Sequence, residues 1–147
     1  KIKFLFFSKI NWLDGMSTVI FSDYARYING ELYSCDISAK NIKNAKKFSK
    51  SNKDFITFVT DDSLNFLSEF NKDIDFLYLD SLDGQFEGAS SHQLNEIKIA
   101  IKKLHTGSLV LLDDKGVKTN LSIDFMLKNN FEIINETREQ VLLSYEV

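Results

Sequence analysis

The sequence predicts an α/β fold: a doubly wound, mostly parallel seven-stranded sheet with helices on both faces and a C-terminal antiparallel hairpin. Three observations lead there. Apolar runs of strand length recur along the chain, segments with helical spacing separate them, and four of the runs finish on aspartate. The runs, rich in Phe, Ile, Val, Leu and Tyr, cover 2–7, 31–36, 55–60, 74–80, 108–113, 131–136 and 140–146. Strand then helix, repeated, implies right-handed crossovers and a parallel sheet covered on both sides.

Each intervening segment carries its own helical signal. Met16, Ile20, Tyr24 and Tyr27 can line one face of a helix after the first strand. Ile42, Ala45 and Phe48 do so after the second, with Ser38 as the cap, and Leu64, Leu67 and Phe70 after the third. After the fourth, Leu94, Ile97, Ile101 and Leu104 share a face behind a capping box of Ser90 and Gln93. The stretch 131–147 differs: strand, polar turn and strand leave no room for a helix, so it closes as a hairpin turning around 136–138.

Length and composition bound the function. A chain of 147 residues, 44% of them hydrophobic, can bury one core and is read as a single domain over 1–147. A net charge of -3 gives no broad electrostatic footprint, so no nucleic-acid partner is expected. The single cysteine, Cys35, cannot form an internal disulfide, and no apolar run reaches the ~18 residues of a membrane span, so a reducing, cytoplasmic setting is the default. The chain begins at Lys1 and runs straight into IKFLFF with no charged leader, which suggests a piece of a longer chain or a processed product.

The acid-ended strands point to a ligand. In an open parallel sheet, ligands sit beyond the carboxyl ends of the strands, where Asp36, Asp61 with Asp62, Asp80, and Asp113 with Asp114 are expected. Aspartate also caps helices and forms turns, so any one of these reads either way. Asp36 stands 21 residues after Gly15. That is close to the interval of roughly 20 residues at which a dinucleotide-type site places an acid on ribose hydroxyls. A carboxylate accepts two hydrogen bonds from a vicinal diol without a counter-cation.

The stretch DGMSTVIFSDYARYINGELYSCDIS resembles class I S-adenosylmethionine-dependent methyltransferases, in which a Gly-x-Ser-Thr turn opens the first helix and an acid ends the second strand. FVTDDSLNFL is similar to their Gly-Asp-Ser adenine-side segment. IDFLYLDSLDG and GSLVLLDDKG resemble the fourth- and fifth-strand motifs of small-molecule O-methyltransferases, including the macrocin type. The resemblance implies methyl transfer from S-adenosylmethionine to a hydroxyl of a small molecule or sugar. It implies that Asp36 holds the ribose, that Asp62 and Ser63 border the adenine, and that Gly15, Ser17 and Thr18 lie near the methionine part. Asp80 would sit beside the transferring methyl group. In metal-dependent members that acid binds a divalent ion with acids from the next strand end, here Asp113 and Asp114. Three carboxylates suit magnesium, which would bind the acceptor oxygen, lower its pKa and align it with the methyl carbon.

The chain departs from the family pattern in its first loop, which offers only Gly15, and in Asp61, which stands where a glycine usually precedes the aspartate. It also lacks the N-terminal helices that commonly roof the acceptor pocket, so a homo-oligomer or neighbouring domain is expected to cover the site. These departures define the rival reading, a non-catalytic methyltransferase-like module serving assembly or interaction. A dehydrogenase-type nucleotide-binding module ranks third, because Gly-x-Gly-x-x-Gly is absent.

Other residues carry two readings each. His92, near the expected rim, reads as a general base or as a solvated helix start, and Glu96 one turn later as its orienting acid or an exposed one. His105 reads as a favourable charge at a helix C-terminus. Lys40, Lys43, Lys46, Lys47, Lys50 and Lys53 read as a solvated helical face or a polyanion contact. Lys115, beside Asp114, is the expected neutralising partner if Asp114 belongs to a turn.

Overall fold

The computed structural model describes residues 16–146. In chain order these form α1 (Ser17–Ile28), β1 (Leu32–Asp36), α2 (Ala39–Phe48), a 3-10 helix (Lys50–Phe55), β2 (Ile56–Thr60), α3 (Ser63–Glu69) and β3 (Ile74–Leu79). Then come α4 (Ala89–Ala100), a short 3-10 turn (Ile101–Lys103), β4 (Leu104–Leu112), α5 (Asn120–Leu127), β5 (Phe131–Glu136) and β6 (Val141–Tyr145). The chain divides into two compact units between Asp62 and Ser63. The class is α/β as expected, but the six described strands form two sheets, not one of seven. The expected strand at 2–7 lies outside the described residues.

In the first unit β1 and β2 pair in parallel, Leu32 opposite Ile56 and Asp36 opposite Thr60, and α2 connects them. Ser38 caps α2 as expected, its hydroxyl accepting from the Asn41 amide at 3.4 Å. Ile42 and Ala45 are buried beneath that helix, while Phe48 is exposed. The expected face of α1 is not the buried one. Of Met16, Ile20, Tyr24 and Tyr27 only Met16 is buried, and Tyr27 is 87% exposed. Thr18, Ser22 and Ala25, four and three apart, face inward instead. Asn52 is the reason: its side-chain amide donates to Ser22 Oγ at 2.9 Å and to Asp23 Oδ1 at 2.7 Å, so polar groups pair where apolar packing was expected.

The second unit holds the larger core. Its strands lie in the order β3-β4-β6-β5, with β3 and β4 parallel and β6 antiparallel to both its neighbours. The terminal hairpin therefore forms, and its second strand inserts beside β4. Its turn lies slightly later than expected, closed by the Thr137 amide on the Gln140 carbonyl at 2.8 Å. Leu79, Ile97, Val110, Leu112, Met126, Phe131, Val141 and Leu143 make one buried cluster.

Two local expectations in this unit fail. Leu104 does not share a helical face with Leu94, Ile97 and Ile101, because α4 ends at Ala100 and Leu104 begins β4. The strand starts early through a bulge: Gly107 has φ 87°, and the Ser108 hydroxyl donates to the Ile74 carbonyl at 2.7 Å while accepting from the His105 amide at 2.9 Å. His105 is thus a strand residue beside Asp75 at 3.1 Å, not a helix-end charge. Nor does Ser90 cap α4. Gly88 takes that place at φ 85°, and Gln93 turns inward toward the Asp113 carbonyl at 3.5 Å.

Candidate active site

At the carboxyl end of β1, Asp36 is held by the helix that follows. Its Oδ1 accepts from the Ser38 amide at 2.7 Å and its Oδ2 from the Asn41 side-chain amide at 3.1 Å. The Asp61 amide donates to the Asp36 carbonyl at 3.2 Å, continuing the β1-β2 ladder by one residue. That link places Asp36, Asp61 and Asp62 at the same end of the pair, where Asp61 Oδ1 accepts from the Asp62 amide at 2.8 Å. Cys35 donates to the Asp61 carbonyl at 3.4 Å. Burial, then the charge of Asp61, push its thiol up to about 11, so it stays protonated and unreactive near neutral pH, as a structural cysteine would. Thr18 is buried, with its hydroxyl 2.8 Å from Ser34 Oγ. Ser17 opens α1, and Gly15 lies outside the described residues.

At the ends of β3 and β4 the acids meet donors from their own unit. Lys118 is 1% exposed. Its ammonium lies 3.3 Å from Asp80 Oδ1, 3.1 Å from Asp114 Oδ2, 2.9 Å from the Ser81 carbonyl and 3.5 Å from that of Leu82. The Tyr78 hydroxyl donates to Asp113 Oδ2 at 2.6 Å and to Asp80 Oδ2 at 3.3 Å. Burial, then the hydrogen bond to Asp113, raise the Tyr78 hydroxyl far above its ordinary pKa and keep it a donor. Burial and the neighbouring Asp113 charge raise the Asp80 carboxyl, against the pull of Lys118. Asp80 is still nearly half exposed, so water moderates the shift.

This arrangement does not fit the expected magnesium site. Among the described residues no group of three or more acids, histidines or cysteines could hold a metal ion. The reason is chemical: a lysine ammonium and a tyrosine hydroxyl already occupy oxygens of Asp80, Asp113 and Asp114. Asp114 itself sits in a turn at φ 58°, accepting at its carbonyl from the Val117 amide at 3.0 Å. Its neutralising partner is Lys118, not Lys115, which pairs with Glu136 at 2.9 Å. Asp83, Gly84, Gln85, Asp114 and Val117 line an open cleft of about 270 Å³ beside this group.

His92 and Glu96, one turn apart on α4, stand in the same unit. His92 Nε2 is 3.0 Å from Ser63 Oγ and 3.5 Å from Glu96 Oε1. His92 is partly accessible, so it is neither core nor a freely solvated helix start. Glu96 is fully buried, contrary to an exposed helical acid, and no hydrogen bond of standard geometry reaches either carboxyl oxygen. Burial raises its carboxyl, against the opposing pull of Ser63, Ser81, His92 and Lys118.

The comparisons now decide the family. A family model described as a methyltransferase domain matches residues 13–115. The chain belongs to the methyltransferase domain family. No curated protein matches it. Among solved structures, an rRNA methylase from Streptococcus thermophilus is similar to this methyltransferase domain at 12% identity, over 80% of this chain and 74% of that one, with a TM-score of 0.60. A Streptococcus mutans protein in complex with SAH is 13% identical over 78% of this chain and 75% of that one, at a TM-score of 0.59. A ribosomal protein L11 methylase from Lactobacillus delbrueckii is 16% identical over 88% and 66%, at 0.62. Likeness at such identities is likeness of fold. Sequence reasoning about this methyltransferase domain missed Lys118 and Tyr78. The signal available for Lys118 was its spacing of four from Asp114.

Proposed function

We propose that this methyltransferase domain transfers the methyl group of S-adenosylmethionine to a hydroxyl of a small molecule or sugar, without a divalent ion. The observation that carries the reading is Asp36. A carboxylate has about four lone-pair positions, and the two protein donors on Asp36 leave room for a ribose diol while fixing its orientation. Asp62 and Ser63 border the adenine, and Gly15, Ser17 and Thr18 serve the methionine end. Asp80, held by Lys118 and Tyr78, would serve the methyl-transfer end. The cofactor supplies an electrophilic methyl on a sulfonium. Asp36, Asp62 and Ser63 would hold the cofactor, and His92 would take the proton that the acceptor hydroxyl gives up on methylation. An imidazole is the side chain suited to take a proton near neutral pH, and Ser63 orients the ring, with Glu96 3.5 Å away.

Thr18 supports the rival, a non-catalytic module, because its hydroxyl is spent on Ser34. One experiment separates the two: calorimetric titration with S-adenosylhomocysteine, then methyl transfer to a hydroxylated acceptor panel by wild type and His92→Ala. Binding with turnover that the variant lowers at least tenfold supports the enzyme. The absence of binding at millimolar ligand returns the chain to the non-catalytic reading.

A further inference from the structure

The lysines of α2 and the 3-10 helix after it do not behave as an ordinary solvated face. Residues 40–53 carry six of the chain's 18 basic residues and none of its 21 acids. Lys43 and Lys47, and Lys46 and Lys50, are four apart, a spacing at which like charges destabilise a helix and a glutamate would stabilise it. None of the six makes an ion pair among the described residues. The chain therefore keeps a locally unfavourable concentration of positive charge on one element.

That charge surrounds a shaped surface. Lys46, Lys50 and Lys53 line an open cleft of about 600 Å³ together with Phe58 of β2. The Lys46 ammonium stands 5.5 Å from the centre of the Phe58 ring, and Lys47 stands 5.3 Å from that of Phe48, which is 40% exposed. Cations alternate with aromatic faces, the pairing by which single-stranded nucleic acids are held: phosphates on the lysines and bases on the rings. A duplex hides its base faces, and an acidic peptide offers carboxylates but need not offer a planar group for Phe58. The net charge of -3 is no obstacle, because at physiological salt a surface charge acts over a Debye length of about 8 Å, so the local concentration of lysines counts for more than the sum over the chain.

We propose that the face formed by Lys40, Lys43, Lys46, Lys47, Lys50 and Lys53, with Phe58 lining its cleft, docks a single strand of nucleic acid. Binding there does not depend on the proposed reaction. The test is fluorescence anisotropy of a labelled twelve-nucleotide oligouridylate with the full chain at several salt concentrations. Six phosphate contacts predict a slope of log K against log salt of about -4, at ~0.7 per contact for single strands. Lys46→Glu/Lys50→Glu/Lys53→Glu should weaken binding at least tenfold and reduce the slope by about 2. Its melting should not fall by more than the small loss of the Lys46–Phe58 contact, since none of the three lysines has an ion pair to lose and the glutamates relieve like-charge repulsion along the helix. Phe58→Leu keeps an apolar side chain but removes the ring, so it should weaken oligouridylate severalfold and leave heparin, a polyanion without bases, unaffected. No oligouridylate binding at low salt would overturn the proposal, as would an unchanged triple variant. Competition by polyglutamate as strong as by oligouridylate, or an equal effect of Phe58→Leu on both polyanions, would overturn the assignment to nucleic acid.

Discussion

Replacing Lys118 by methionine tests the centre of the second unit directly. The substitution keeps much of the buried stem and removes only the ammonium, which meets two carboxylates and two backbone carbonyls. Breaking a fully buried ion pair costs about 3–5 kcal/mol. Asp80 and Asp114 are 45% and 41% exposed, so water recovers part of that loss. The cost then falls to about 2–3 kcal/mol, the scale of hydrogen bonds to charged groups. For a chain of this size that lowers Tm by roughly 5–10 °C. Thermal melting with and without magnesium is the assay. Wild type should not respond to millimolar magnesium, because the ammonium already neutralises two of the three acids. Lys118→Met should melt lower and regain part of the loss with magnesium, about 1.4 kcal/mol at tenfold excess over Kd. A wild-type protein stabilised by magnesium, or a variant melting like wild type, would refute the argument that Lys118 takes the place of a metal.

Three further outcomes follow from the same structure. Asp36→Ala should weaken S-adenosylhomocysteine by about 1.5–3 kcal/mol, the scale of hydrogen bonds to a charged group, read by calorimetry; an unchanged Kd would make Asp36 a helix cap alone. Deleting LLSYEV removes fully buried Leu143 and most of the strand that joins β4 to β5, so the cooperative melt seen by circular dichroism should be lost, not merely shifted. Glu96 has a raised folded pKa, so the native state binds its proton more tightly than the unfolded chain and stability falls as pH rises from the ordinary carboxyl value through the folded one. Glu96→Gln removes that penalty, so its Tm relative to wild type should be higher at pH 7.5 than at pH 4.5; the opposite order would show that Glu96 is held ionised.

The sequence made some of this legible and hid the rest for physical reasons. Apolar periodicity found the six described strands, and the absence of a helix-length segment before 140–146 found the hairpin. Ser38 worked as a cap because capping is decided within one turn. The buried face of α1 was hidden because its inward residues are small and polar, and their partner Asn52 lies 30 residues beyond Ser22. Lys118 was hidden because lysine is ordinarily exposed, and Asp80, which helps bury it, is 38 residues away. The bulge at Gly107 depends on Ser108 reaching the Ile74 carbonyl, again a contact across strands.

The strand-end acids sharpen that distinction. Cap and ligand were posed as alternatives for each aspartate, and on the proposed reading Asp36 would serve as both. Its two protein donors come from the start of α2, so the helix fixes the carboxylate at the strand end at little cost in side-chain entropy. A carboxylate so fixed has already lost the freedom that binding a diol would otherwise take from it, and its remaining lone pairs keep their acceptor capacity. Asp80, Asp113 and Asp114 are spent differently, since an ammonium neutralises two of them and a phenol ties the third. The same residue type at strand ends therefore meets different donors: neutral amides on Asp36 leave its charge intact, a neutral phenol ties one oxygen of Asp113, and an ammonium offsets the charge of Asp80 and Asp114.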